Sequence, residues 1–119
     1  MNILVTGAAG FIGSHVALRL CQAGYQVTGI DNLNSYYDVR LKLARLERLK
    51  PHSNFRFVQM DIAHLAGLRQ LFSDGLFQYV IHLAAQAGVR YSIENPMAYA
   101  DSNLTGHLSV LEACRQFHI

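Results

Sequence analysis

Three glycines and two acids carry the most legible chemistry in this chain of 119 residues. The segment Thr6-Gly7-Ala8-Ala9-Gly10-Phe11-Ile12-Gly13 follows the β-rich run Ile3-Leu4-Val5, and after it Ile12, Val16, Leu20 and Ala23 recur at helical spacing. A strand-to-helix turn of this composition suits a phosphate group. Gly7 permits the tight exit from the strand, Gly10 lets backbone N–H groups approach a pyrophosphate with no Cβ in the way, and Gly13 allows close packing of helix on sheet. The phosphates of a dinucleotide would then rest at a helix N-terminus. The spacing, with two residues between successive glycines, departs from the usual GxGxxG, and a tight turn without any ligand would use the same three residues.

Asp31 ends a second β-rich run, Tyr25 to Ile30, and lies 18 residues beyond Gly13. A carboxylate there accepts hydrogen bonds from ribose hydroxyls and repels a 2′-phosphate. No basic residue follows until Arg40, which favours NAD over NADP; the alternative is an Asp that simply begins a turn. Asp61 ends a third strand in the same manner, placed either for an adenine amino group or as a helix N-cap.

These residues need a scaffold, and its outline is regular. Gly24 closes the first helix, and the turn formers Asn32-Leu33-Asn34-Ser35 follow the second strand. A basic helix then runs to Pro51. Phe55 to Met60 is a third strand, Ala63 to Phe72 a helix, and Tyr79 to Leu83 a fourth strand broken only by His82. A polar loop containing Gly88 comes next, and Asn95-Pro96 opens a helix that extends to about Phe117. Strands that alternate with helices and read as apolar runs predict a parallel sheet covered on both faces, an α/β fold of the Rossmann, doubly wound type. The pattern has four strands and reads as truncated after the fourth and its following helix.

Composition sets limits around this outline. One chain of this length supports one domain, so a separate substrate domain is excluded. The longest apolar run, Met97 to Ala100, is far too short to span a membrane, and no basic segment with a long apolar stretch opens the chain. We therefore expect a cytoplasmic protein without a membrane partner. A formal charge of +2 gives no global case for nucleic acid. Basic residues do cluster from Arg40 to Lys50, interleaved with Leu41, Leu43, Leu46 and Leu49, and this is most simply a solvated amphipathic helix. Cys21 and Cys114 belong to no CxxC or metal spacing, and the histidines form no HExxH or HxH pair, so no metal is expected.

Taken in order, TGAAGFIGSH at 6–15, DNLN at 31–34, MDI at 60–62, HLAAQAGVRYS at 82–92 and NP at 95–96 resemble the extended short-chain dehydrogenase/reductase family of NAD-dependent epimerases and dehydratases. Within it, SYYDVRLKLARLERLK at 35–50 and AAQAGVRYSIENP at 84–96 are similar to the UDP-glucuronate 4-epimerase group. The resemblance covers the whole chain but only the N-terminal, NAD-binding portion of the family's proteins. It implies that Gly7, Gly10, Phe11, Ile12 and Gly13 surround the pyrophosphate, that Asp31 and Asn32 meet the ribose, and that Asp61 and Ile62 border the adenine. Leu83, Ala84, Ala85 and Gln86 would line the second ribose and the way to the nicotinamide, with Asn103 near them. Asn103 is unusual on its own terms: Ser102, Asn103 and Gly106 are poor residues for the middle of a helix, with close helix packing as the other explanation. Arg90 and Tyr91 would approach the sugar nucleotide, Arg90 toward a uronic carboxylate or else free in solvent. His82, alone in a strand, reads as a hydrogen-bonded core residue rather than a base.

The family moves its proton with a tyrosine followed four residues later by a lysine, and no such pair occurs here, where the only lysines are Lys42 and Lys50. No catalytic residue is therefore assigned. The expected function is the NAD-binding portion of a nucleotide-sugar epimerase, with NAD and, in a full-length parent, a UDP-sugar as partners. The alternatives are another NAD-dependent sugar-nucleotide epimerase or dehydratase, or a nucleotide-binding module without chemistry. A strand left with one neighbour and an apolar helix stripe further predict self-association.

Overall fold

A computed structural model describes residues 1–119. Four parallel strands, β1 (Asn2–Thr6), β2 (Gln26–Asp31), β3 (Phe55–Gln59) and β4 (Tyr79–His82), form one sheet in the order β3-β2-β1-β4. Register brings Thr6 opposite both Ile30 and His82, and Asp31 opposite Gln59, so the carboxyl ends of all four strands lie at one rim. The chain order reverses across β1, and a crevice at such a switch point is where open α/β sheets bind ligands.

Alternation along the strands supplies two cores. Ile3, Val5 and Val27 face one side, where they pack with Ala17 and Cys21 of α1 (Phe11–Gln22) and Leu46 and Leu49 of α2 (Val39–Leu49). Leu4 and Ile30 face the other, against Leu68, Leu71 and Phe72 of α3 (Leu65–Gly75) and Val110 and Ala113 of α6 (His107–Gln116). Burial on both faces is why these strands read as apolar runs.

Three stretches depart from the sequence expectation. The helix expected over Ala63–Phe72 begins at Leu65 and ends at Gly75, because the Asp61 carboxylate accepts the Ala63 N–H at 2.8 Å in a turn that delays the start. The loop after β4 contains a single helical turn, α4 (Tyr91–Glu94), before Asn95 caps α5 (Pro96–Tyr99) by accepting the Ala98 N–H. The helix from Pro96 to Gln116 is not uniformly α: residues Ala100–Gly106 are wound as a π-helix, over the stretch that holds Ser102, Asn103 and Gly106. Single π turns of this kind frequently mark functional sites. No helix is long and apolar enough to cross a membrane.

Candidate functional site

The site grows from the turn after β1. Gly7 has φ +70°, and a Cβ on it would stand 2.8 Å from the Ala84 nitrogen, so the turn crosses the exit of β4 at a distance no side chain permits. A Cβ on Gly13 would fall on the Gly7 carbonyl itself. The third glycine thus serves contact between α1 and the turn, rather than between α1 and the sheet.

Gly10 caps α1 without a side-chain hydrogen bond, and the first turn of α1 holds no acid. The first amides of any helix lack partners inside it. Here nothing from this chain's side chains caps them, while Phe11 and Ile12 stand exposed at the lip. An anion fits such an end, which carries the positive pole of the helix dipole.

Asp31 is held from two sides. Its carboxylate accepts the Ala9 N–H at 3.1 Å and the Leu33 N–H at 2.9 Å, which ties the glycine turn to the end of β2. A carboxylate offers about four lone-pair sites, so acceptors remain for a diol. Beside it Asn32 donates to Asp61 at 3.3 Å. The N-cap alternative for Asp61 is not realised: the residue flanking α3 is His64.

Opposite these, Leu83, Ala84, Ala85 and Gln86 leave β4 and line a cleft of about 670 Å³, counted out to open solvent, with Gly7, Gly10, Asp31, Asn32 and Ile62 on its other walls. Asn103 sits behind the wall. Its Oδ1 accepts the Gln86 N–H at 2.8 Å and its Nδ2 donates to the Gln86 carbonyl at 3.1 Å, the pairing a neighbouring strand would make. The π winding brings that amide level with Gln86, and the bare Gly106 leaves room for the Ile62 side chain. Of the residues expected around a dinucleotide, Phe11, Ile12, Gly13, Asp61 and Asn103 do not line the cleft: Phe11 and Ile12 are exposed, Gly13 lies under the turn, Asp61 is paired with Asn32 and Asn103 holds Gln86. Arg90 is exposed and forms no ion pair, while the Tyr91 ring stacks 4.6 Å from that of Tyr36 and its hydroxyl accepts from Asn95.

The basic helix α2 is not merely a solvated face: Lys42 is 5% exposed and lines the cleft, its ammonium donating to the Asn34 carbonyl and Oδ1, each at 3.0 Å. Burial holds this ammonium below the usual lysine value, opposed by attraction to Asp31 and aided by repulsion from Arg45. Arg45 donates to the Ala9 carbonyl at 3.2 Å and the Tyr37 hydroxyl at 2.6 Å. Asn34, Tyr36, Tyr37, Lys42 and Ser102 all line the cleft and were not anticipated. A signal existed for Lys42, since it occupies the buried face with Leu46 and Leu49 at i, i+4 and i+7, whereas Leu41 and Leu43 are about half exposed.

Comparison with known proteins agrees with this geometry. A 37.6 kDa protein from the cld 5′ region of Escherichia coli O111:H- is 58% identical over 115 residues, 97% of this chain and 34% of its own length. A UDP-glucuronate 4-epimerase of Thermodesulfobacterium geofontis is 51% identical over 116 residues, 98% of this chain and 36% of its own. The crystal structure of UDP-glucuronic acid 4-epimerase from Bacillus cereus in complex with UDP-glucuronic acid and NAD superposes with a TM-score of 0.87 at 40% identity, over 96% of this chain and 36% of that one. The chain spans about a third of the length of these relatives. The family model described as GDP-mannose 4,6 dehydratase matches residues 4–119, and the chain belongs to that family.

Proposed function

We propose that residues 1–119 are the N-terminal, NAD-binding portion of a nucleotide-sugar epimerase whose full-length form acts on UDP-glucuronate. The observation that carries this is the convergence on one cleft of an uncapped helix N-terminus, a turn whose Gly7 and Gly13 leave no room for a Cβ, and the Asp31 carboxylate. Gly7, Gly10, Phe11, Ile12 and Gly13 take the pyrophosphate, Asp31 and Asn32 the adenosine ribose, Asp61 and Ile62 the adenine. Leu83, Ala84, Ala85 and Gln86 take the second ribose, with Asn103 holding Gln86 in place. Lys42 adds a positive charge near Asp31, on the ribose side of the cleft. NAD in this cleft would supply a hydride acceptor and donor at the sugar's C4. Arg90, exposed beyond the end of β4, is assigned to the uronic carboxylate, and Tyr91 to the edge of the sugar site. We place the protein in the cytoplasm, where Cys21 and Cys114, both free thiols, remain reduced.

This reading predicts saturable binding of NADH to the chain, followed by fluorescence, with no epimerisation of UDP-glucuronate, because no tyrosine here is followed four residues on by a lysine. Turnover by the purified chain would mean that other residues supply the base; absence of NADH binding at millimolar concentration would remove the cofactor assignment. The missing pair also favours a second reading, a nucleotide-binding module without chemistry. Extension of the chain with its native downstream sequence separates the two, since only the epimerase portion gains activity.

We also propose self-association. The sheet leaves β4 with β1 as its one neighbour, and Leu104, Leu108 and Leu111 of the following helix are 70%, 66% and 53% exposed. An open edge and an apolar stripe both favour a second copy. Sedimentation across a wide concentration range should show a dimer or larger species, and a monomer throughout the range would refute it.

A further inference from the structure

One hydroxyl collects three hydrogen bonds where β4 leaves the sheet. Thr6, wholly buried and opposite His82 in the register, places its Oγ1 3.0 Å from the Leu83 nitrogen, 3.0 Å from the Ala84 nitrogen and 2.7 Å from Nδ1 of His82. A hydroxyl oxygen has two lone pairs and one proton. The Ala84 N–H has Oγ1 as its acceptor and the Leu83 N–H is shared between Oγ1 and the Thr6 carbonyl, 3.3 Å away; with both lone pairs engaged, the Thr6 proton is left for the third contact. In that arrangement His82 Nδ1 accepts, and the imidazole is the neutral tautomer with its proton on Nε2.

We propose that His82 is a positioning residue whose neutral form, locked by Thr6, holds the Leu83–Ala84 wall of the cleft, and whose protonation at mildly acidic pH releases that wall and weakens ligand binding. A protonated imidazole would bring a third donor to that oxygen and displace one of the two N–H groups; the Leu83 N–H can fall back on the Thr6 carbonyl, whereas the Ala84 N–H has no second acceptor. The wall is in direct contact with the phosphate turn: the Ala84 nitrogen lies 2.8 Å from where a Gly7 Cβ would stand, so the two move together. The titratable group facing His82 is His107 of α6, with ring centroids 5.1 Å apart, while from β1 it meets the neutral Thr6 hydroxyl. Burial first, and the charge of His107 second, push the His82 imidazole below its usual value. As pH falls below about 6.5 the unfolded chain gains a proton that the fold refuses, so stability declines with acid until His82 itself titrates in the folded state.

The binding arm of the test rests on the proposed dinucleotide site; the other arms do not. Long-range ¹H–¹⁵N spectra of the chain at pH 8 should show His82 with Nδ1 bare and Nε2 protonated. His82→Asn keeps an acceptor at the Nδ1 position and cannot titrate. NADH titrations from pH 8 to pH 5 should show wild-type affinity falling relative to His82→Asn, toward about tenfold per pH unit, the limit for one linked proton. His107→Gln should raise the pH at which the His82 resonances titrate, by removing a neighbouring charge. An Nδ1–H tautomer at pH 8, or wild-type and His82→Asn affinities that fall in parallel, would overturn the proposal. If NADH does not bind, the dinucleotide reading fails, and the tautomer together with the acid-linked loss of stability in urea still decides the role of His82. If His82→Asn does not fold, the tautomer and the His107→Gln shift decide it on proteins that retain His82.

Discussion

Replacement of Gly13 by alanine is expected to lower folding stability by about 2 to 3 kcal/mol and to abolish dinucleotide binding, although alanine is the better helix former by about 1 kcal/mol. Two effects of opposite sign meet at this position. In an exposed helix the substitution stabilises, because alanine loses less backbone freedom on folding. At Gly13 the new methyl would coincide with the Gly7 carbonyl, and neither backbone can yield. Gly7 is itself pinned against Leu83 and Ala84, so α1 would have to back away from the turn and take the uncapped amides with it. Against a typical total of about 5 to 15 kcal/mol the loss is large. Gly24→Ala provides the control: its φ of +88° strains an alanine, but nothing lies within 4 Å of the new Cβ, so it should cost about 1 kcal/mol and leave binding intact. Urea unfolding with NADH titration measures both, and a Gly13→Ala protein as stable as wild type would show that the contact between α1 and the turn is not tight.

Asp31→Asn should move cofactor selectivity from NAD toward NADP by about tenfold or more, a shift that corresponds to 1.4 kcal/mol or more. The amide keeps the size of the carboxylate and one acceptor for the Ala9 or Leu33 N–H, but loses the charge that repels a 2′-phosphate. Along the chain the nearest base is Arg40, whose guanidinium pairs with Asp38 at 2.7 Å and is exposed. In the fold the relevant cations are Lys42 and Arg45, which reach the same cleft wall and the glycine turn. Once Asp31 is neutral they remain as unopposed attraction for a phosphate. The ratio of the two dissociation constants is the quantity to follow, because weaker retention of the Ala9 N–H also reduces affinity for both cofactors. A ratio unchanged from wild type would mean that Asp31 does not face the ribose.

What the order of residues determined by itself is the alternation of strand and helix, the place of the glycine turn and the positions of Asp31 and Asp61 at strand ends. Each is a local matter: periodicity, turn chemistry and a short apolar run are written within about ten residues. Asn103 stands out in the sequence as a broken helix rule and by resemblance near Gln86, but its hydrogen bonds do not: Gln86 is 17 residues away, and the two meet where the helix is wound as a π-helix. Lys42 shows the limit more sharply. Its spacing with Leu46 and Leu49 puts it on the buried face of α2, but its partner is set by the packing, which turns the ammonium inward to Asn34 while Leu41 and Leu43 on the same helix are about half exposed. The contacts of His82 arise the same way, from two backbone amides and one imidazole nitrogen that the fold gathers around the single Thr6 hydroxyl oxygen. Such convergence joins residues more than 70 positions apart, and no pattern along the chain encodes it, because hydrogen-bond capacity is spent in space and not in sequence.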